Sequence, residues 1–235
     1  MTLTGRDRLV VELVARFSQL AASHVRTLVF ADVGSSTPCD RSLKRLAERG
    51  YLARIERRLV GGAKGGSGQY VYQLGRHGHA LYMQGRYMPV RTINFHSLAI
   101  ADAYVNLTLL ERAAAIGLVG WARESNCWVT IGRHELKPDA YVEIDRPRFR
   151  DRLKLWLEVD MATEGQRQIK DKLTRYWEAY NAADGAEWPV FPIIVWLAVD
   201  EARARELAWL VDQGPTEAKQ LFRVVTQAQF STVIS

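Results

Sequence analysis

The sequence predicts a mixed chain, α+β passing into α/β: a small unit of three helices closed by a β-hairpin, then a larger layer of helices on a mixed sheet. Three observations predict it. Charge is unevenly spread, with 15 Lys+Arg against 6 Asp+Glu in residues 1–95 and 17 against 20 in residues 96–235, a balance of +9 and −3 within a net +6. Apolar residues recur at helical spacing through the first fifty residues, whereas most of the second half alternates apolar and polar residues as strands do. Between the two styles lies GGAKGGSG, a glycine-rich tip flanked by strand-like runs.

The chain has 235 residues, 48% of them apolar, enough for a packed core in one large or two modest domains. No run of about eighteen uncharged apolar residues occurs, so no membrane span is expected. Charges interrupt the first apolar stretch, MTLTGRDRLVVELVARF, which lacks the layout of a signal peptide. The two cysteines, Cys39 and Cys127, are far apart with no CxxC, which favours a reducing, cytoplasmic setting and argues against zinc.

The first helix is expected over residues 6–17, with Leu9, Val10, Leu13, Val14 and Phe17 on one stripe. A second spans 21–31, with Val25, Leu28 and Val29 inward. Gly34 and Pro38 break it. A third runs from Asp40 to Arg49 and stops at Gly50, placed as a C′ residue. Leu43, Leu46 and Ala47 face its core side; Arg41, Lys44, Arg45 and Arg49 face outward, with Ser42 beside them. YLARIERRLV and QYVYQLG then form the hairpin around GGAKGGSG. That glycine-rich segment lacks a GK[ST] ending and leads into no helix, so it is not a phosphate loop. His77 and His79 flank Gly78 at a helix start and read as surface histidines, rather than as the strand-borne pair of a nicking enzyme.

This order resembles the winged helix-turn-helix family over roughly residues 5–85, and LKRLAERGYLARIERR is typical of it. The resemblance implies double-stranded DNA as ligand. Arg41, Ser42, Lys44, Arg45 and Arg49 would enter the major groove, and Arg57, Arg58 and Lys64 of the wing would lie near phosphates. Binding would be strongly salt-dependent. Such modules often pair up to read two half-sites, so a homodimer is expected.

A domain boundary is placed at 90/91, dividing residues 1–90 from 91–235. A helix from about Phe95 to Ile116 opens the second part and ends at Gly117. LVGWARES, NCWVTIG, LKPDAYVEI and LKLWLEVD are strands. A helix follows over 164–183, capped by Thr163 with Gln166, with Ile169, Leu173, Trp177 and Tyr180 inward. PVFPIIVWLAV is a buried strand, EARARELAWLVDQ a helix and LFRVVTQAQF a last strand.

Carboxylates interrupt two of these strands. If the turn between them centres on Arg148 and Phe149, Asp139 lies opposite Glu158, with Cβ atoms about 4.5–5.5 Å apart. Two carboxylates so close need a proton or a cation between them, and Mg²⁺ is the natural ion. The pattern resembles the PD-(D/E)xK, or restriction-endonuclease-like, fold over roughly residues 95–230. Pro138-Asp139 stands for PD and Glu158-Val159-Asp160 for (D/E)xK. The resemblance implies Asp139 and Glu158 as metal ligands and a catalytic set of Asp139, Glu158, Asp160 and a lysine. Asp160 occupies the lysine's place, and Lys137 or Lys172 would replace that lysine in space. Glu111 and Glu124 are candidates for a further acid.

The winged helix followed by PDAY, LEVDMATEG and KLTRYWEAY resembles the replication-relaxation family, which commonly carries ExD. That resemblance implies a plasmid or other mobile element, a role in replication, relaxation or transfer of DNA, and a replication or relaxase protein as a further partner. A metal-dependent endonuclease or nickase, using Mg²⁺, is one alternative. A winged-helix transcriptional regulator with a protein-binding second domain is another.

Overall fold

The computed structural model describes residues 3–59 and 68–234. The chain is a mixed α/β protein that divides into two compact units, Met1–Val105 and Asn106–Ser235.

The first unit begins with α1 (Gly5–Phe17), a short strand β1 (Gln19–Ala21), α2 (Ala22–Val29) and α3 (Thr37–Glu48). The Thr4 side chain caps α1 by accepting from the Asp7 amide. Helix α3 starts earlier than expected, because Pro38 sits in its first turn, where its missing N–H is no loss. It ends as expected at Gly50, whose φ is +69°. The Gly50 amide donates to the Ala47 carbonyl at 3.0 Å and the Tyr51 amide to Leu46 at 2.9 Å, the paired bonds of a Schellman turn. Strands β2 (Leu52–Leu59) and β3 (Gly68–Leu74) then pair antiparallel, and β1 joins the far side of β3. Strand β1 is absent from the sequence reading: three residues give too short a pattern to separate from a helix start. Lys64 lies outside the described residues, and of Arg57 and Arg58 only the backbone, within β2, is described.

Helix α4 (Arg76–Tyr82) carries the His-Gly-His triplet. His77 Nδ1 donates to the Arg49 carbonyl at 2.7 Å, and the His79 ring meets Tyr87 edge-on. Gly78 has no room for a side chain, since a Cβ there would sit 2.2 Å from the Tyr51 carbonyl oxygen. The triplet therefore docks α4 on the start of β2.

Beyond α4 the chain is extended, and two buried glutamines hold it. Gln73 exchanges two bonds with the Val90 backbone (2.7 and 3.1 Å), and Gln19 does the same with Thr92 O and Asn94 N (3.1 and 2.8 Å). Amide side chains thus act as a substitute strand along the segment that the sequence reading treats as the joint. Helix α5 (Phe95–Arg112) begins within the same unit: His24 Nε2 meets Asp102 Oδ1 at 2.7 Å and Arg16 stacks on Tyr104. The two compact units divide inside α5, between Val105 and Asn106. The helix also ends before Gly117. Ala114 takes a left-handed φ of 55°, and the Ala115 amide donates to the Leu110 carbonyl at 2.9 Å.

The second unit is built on β4 (Gly117–Arg123), β7 (Ala140–Arg146), β8 (Asp151–Asp160), β9 (Ile193–Ala198) and β10 (Phe222–Thr226). Their order is β10-β9-β8-β7-β4; β4, β7 and β8 are antiparallel and β8, β9 and β10 parallel. Between β4 and β7, β5 (Val129–Ile131) and β6 (His134–Leu136) form a separate small hairpin. The parallel steps run through α6 (Gln166–Ala182) and α7 (Glu201–Asp212), and a short α8 (Ser231–Ile234) closes the chain. One sheet face buries Trp156, Ile194, Trp196 and Ala198 against Ile169, Tyr176 and Ala179 of α6 and Leu207 and Leu210 of α7. The α6 cap differs from the expected Thr163–Gln166 pair: Gln168 accepts from the Gly165 amide at 2.9 Å, and Gln166 bonds Glu206 instead.

Cys39 and Cys127 are free and buried, and burial pushes their thiols up to about 11 and about 12, which keeps them unreactive. No helix among the described residues is long and apolar enough to cross a membrane.

Candidate functional site

In the first unit, α3 presents two faces of different character. Arg41 and Lys44 are exposed, Lys44 making only a 3.8 Å approach to Glu48. Arg49 is half-buried, its guanidinium over the Tyr51 ring. Ser42 is not on the outer face, contrary to expectation. It is buried, and its hydroxyl donates to Asp7 Oδ1 at 2.6 Å. Arg45 is drawn to the same acid, donating to both Asp7 oxygens at 2.6 and 2.8 Å while its side chain stays 42% exposed. Residues 39, 42, 43 and 46 form the inward stripe of α3, and Asp7 occupies the matching stripe of α1 with Val10, Val11 and Val14.

Burial works against the Asp7 charge, but hydrogen bonds from Ser42 and Arg45 outweigh it and hold the carboxyl below its usual value. The stability this clasp contributes is therefore present above the unfolded carboxylate range, about 3.9, and is lost as pH falls through the depressed folded value. Asp7→Asn should cost the first unit about 1–3 kcal/mol at neutral pH and flatten its acid-unfolding limb, as followed by circular dichroism in urea from about pH 6 down to about pH 2.

In the second unit β7 and β8 pair in the register expected from a turn centred on Arg148 and Phe149, and Ala140 with Leu157 is the last pair of the ladder. The Asp139 amide also donates to the Leu157 carbonyl, at 2.9 Å, one residue out of step with that ladder, so the regular pairing ends before Asp139 and Glu158. Asp139 Oδ2 accepts from the Val159 amide at 2.7 Å. Glu158 is only 2% exposed, and both of its oxygens are engaged. Tyr176 donates to Oε1 at 2.6 Å and Lys172 to Oε2 at 3.0 Å. Burial pushes the Glu158 carboxyl up to about 7, with the Asp139 charge adding to the rise and Lys172 and Tyr176 pulling the other way. Lys172 also bonds Glu164 at 3.0 Å, and these two acids overcome its own burial and raise its pKa. The Tyr176 hydroxyl is raised too, by burial and then by Glu158.

Of the two lysines proposed to replace the motif lysine, Lys172 reaches Glu158 and Lys137 does not meet Asp160. Lys137 turns to Glu135 at 2.9 Å and to the Trp128 ring at 5.0 Å. Pro138 has no amide to continue the ladder, so the strand stops one residue short of it. Asp160 is instead held by Arg203, which sequence reasoning missed. The guanidinium donates from Nε to Oδ1 at 2.8 Å and from a terminal nitrogen to Oδ2 at 2.9 Å, and it also binds Glu206 at 2.8 Å and the Glu164 carbonyl at 2.8 Å. Its signal was legible: Arg203 stands one turn before Leu207 and two before Leu210, a charge on a buried stripe, which demands an acid facing it.

Mg²⁺ takes an octahedron of oxygens and keeps several waters. Glu158 is too buried to meet a hydrated ion, its oxygens already accept two donors, and both Asp160 oxygens are taken by Arg203. Glu111 accepts from the Leu118 amide and Glu124 pairs with Arg123, so neither adds a ligand here. Among the described residues no group of three or more His, Cys, Asp or Glu is placed to hold a metal. The donor set as folded does not fit Mg²⁺. What the arrangement does do is fasten α6 and α7 to β8, through Lys172 and Tyr176 on Glu158 and through Arg203 on Asp160.

The fold and these sites define a two-unit α/β protein: a basic helical unit with an outward cationic helix, joined to a mixed sheet whose buried acids anchor its helices. The chain belongs to the replication-relaxation family, whose model matches residues 11–194, from within α1 to the second residue of β9. No curated protein and no solved structure matches the chain.

Proposed function

We propose that this is a double-stranded-DNA-binding protein acting in the replication, relaxation or transfer of a plasmid or other mobile element. In this reading the first unit is a winged helix whose α3 enters the major groove. The second is a nuclease-like fold that serves as scaffold and docking platform rather than as a cleaving enzyme. The observation that carries the reading is the division of labour on α3. Ser42 and Arg45 brace the helix from within through Asp7, leaving Arg41 and Lys44 exposed on the outside. Residues 1–95 carry a balance of +9, which supports attraction to a polyanion. Family membership supports the setting.

The test is duplex binding by the full chain as salt is raised, alongside incubation with supercoiled plasmid and Mg²⁺ or Mn²⁺. The expected result is affinity that falls linearly in log–log form with salt, with plasmid left intact. Salt-independent or absent duplex binding would end the DNA-binding reading. Metal-dependent nicking abolished by Glu158→Ala would replace the scaffold reading with that of an endonuclease.

A further inference from the structure

The turn between β7 and β8 reads Arg146-Pro147-Arg148-Phe149-Arg150-Asp151, and it is rigidly built. Pro147 presets its own φ. The Phe149 and Arg150 amides both donate to the Arg146 carbonyl, at 3.0 and 2.9 Å. Arg150 completes the turn with a left-handed φ of 55°.

Cationic charges at the base of the turn are offset by acids. Arg146 grips Asp151 with two bonds of 2.8 and 2.5 Å, and Arg152 binds Asp145 at 2.7 and 3.2 Å and Glu143 at 3.3 Å. At the tip they are not offset: Arg148 and Arg150 are exposed, and neither has an acidic partner among the described residues. Between them stands Phe149, 50% exposed. Its ring is backed by the Arg146 guanidinium, 4.6 Å from the centroid, with Arg148 at 5.7 Å. Asp151 thus fixes Arg146, Arg146 supports the ring, and much of the ring remains uncovered.

We propose that this tip is a docking point for single-stranded DNA: an unpaired base stacks on the uncovered part of Phe149 while Arg148 and Arg150 take neighbouring phosphates. An aromatic platform flanked by cations is what unpaired nucleic acid recognises, because every base offers a π-face and every linkage a charge. A duplex is the poorer fit, since its bases are already stacked and the ring would enter only by prising a step apart. A membrane is also the poorer fit, since Phe149 and Pro147 offer little apolar area to bury. The inference rests on the reading of the chain as a DNA-binding protein, and it assigns unpaired DNA to the second unit and duplex to the first.

The experiment measures anisotropy of labelled oligo(dT) of twenty nucleotides, and separately of a duplex, with the full chain. Phe149→Ala should weaken oligo(dT) binding about tenfold and leave duplex binding unchanged, while Phe149→Tyr should retain it. Arg148→Gln with Arg150→Gln should lower the salt slope for oligo(dT) by about 1.4. All these residues are exposed, so thermal melting should match the unaltered chain. Oligo(dT) binding that is absent, or unmoved by both sets of variants, overturns the proposal. So does a loss confined to vesicles containing phosphatidylserine, which would make the tip a membrane contact. Failure of the duplex reading shows separately, as duplex binding that Arg41→Ala with Lys44→Ala leaves intact.

Discussion

Arg203→Ala should destabilise the second unit by about 3–5 kcal/mol, the cost of leaving one half of a buried ion pair without its partner. Asp160 is 4% exposed and Arg203 8%, so water cannot replace the lost guanidinium. The damage should exceed that of removing any exposed pair, such as Arg152 with Asp145, where solvent screens the charges. Chemical unfolding monitored by tryptophan fluorescence checks this, since Trp156 and Trp196 lie in the same core. Replacing both partners with leucine should recover a large share of the loss, because the penalty lies in the unpaired charge rather than in the absent bond. A small effect from Arg203→Ala alone would mean that Asp160 is solvated and that α7 is held by its apolar stripe alone.

Arg41→Ala with Lys44→Ala should weaken duplex binding by tens-fold near 0.1 M salt and make the salt slope shallower by about 1.8, two phosphate contacts' worth of released counterions. Neither side chain braces the fold, so unfolding midpoints should not move. Arg45→Ala is the instructive contrast. It removes two bonds to Asp7 and should lower stability as well as affinity. Equal affinity of the double variant and the unaltered chain would remove α3 from the DNA-binding surface.

Much of the architecture was legible because its signals are long or strongly spaced. The alternation in 140–146 and 151–160, the register across their turn and the stop of α3 at Gly50 all follow from pattern and from the demands of glycine and proline. What the sequence hid is polar and non-local. Ser42 was assigned outward beside the arginines, although its spacing from Cys39 and Leu46 places it on the inner stripe; only the acid from α1 explains a hydroxyl there. Gln19 and Gln73 gave no signal that their amides would hold a backbone segment many residues away. Asp139 and Glu158 were read as metal ligands because two opposed carboxylates need compensation, and Asp160 as the residue in the motif lysine's place. That physical demand is real. The compensating charges come from α6 and α7, whose approach to the strand no local pattern encodes, apart from the misplaced charge of Arg203 itself.

The central claim is that Glu158 is satisfied from within, by Lys172 and Tyr176, rather than held open for a metal. The most direct measurement is the carboxyl-carbon NMR titration of Glu158 in the full chain, with and without millimolar Mg²⁺. Because its folded value is raised, the stability Glu158 contributes is fully present below the unfolded value, about 4.5, and is lost as pH rises through the folded one. The account predicts a midpoint near 7 that Mg²⁺ leaves in place and that Tyr176→Phe moves higher. A midpoint in the ordinary carboxylate range, or one that Mg²⁺ draws down, would contradict it.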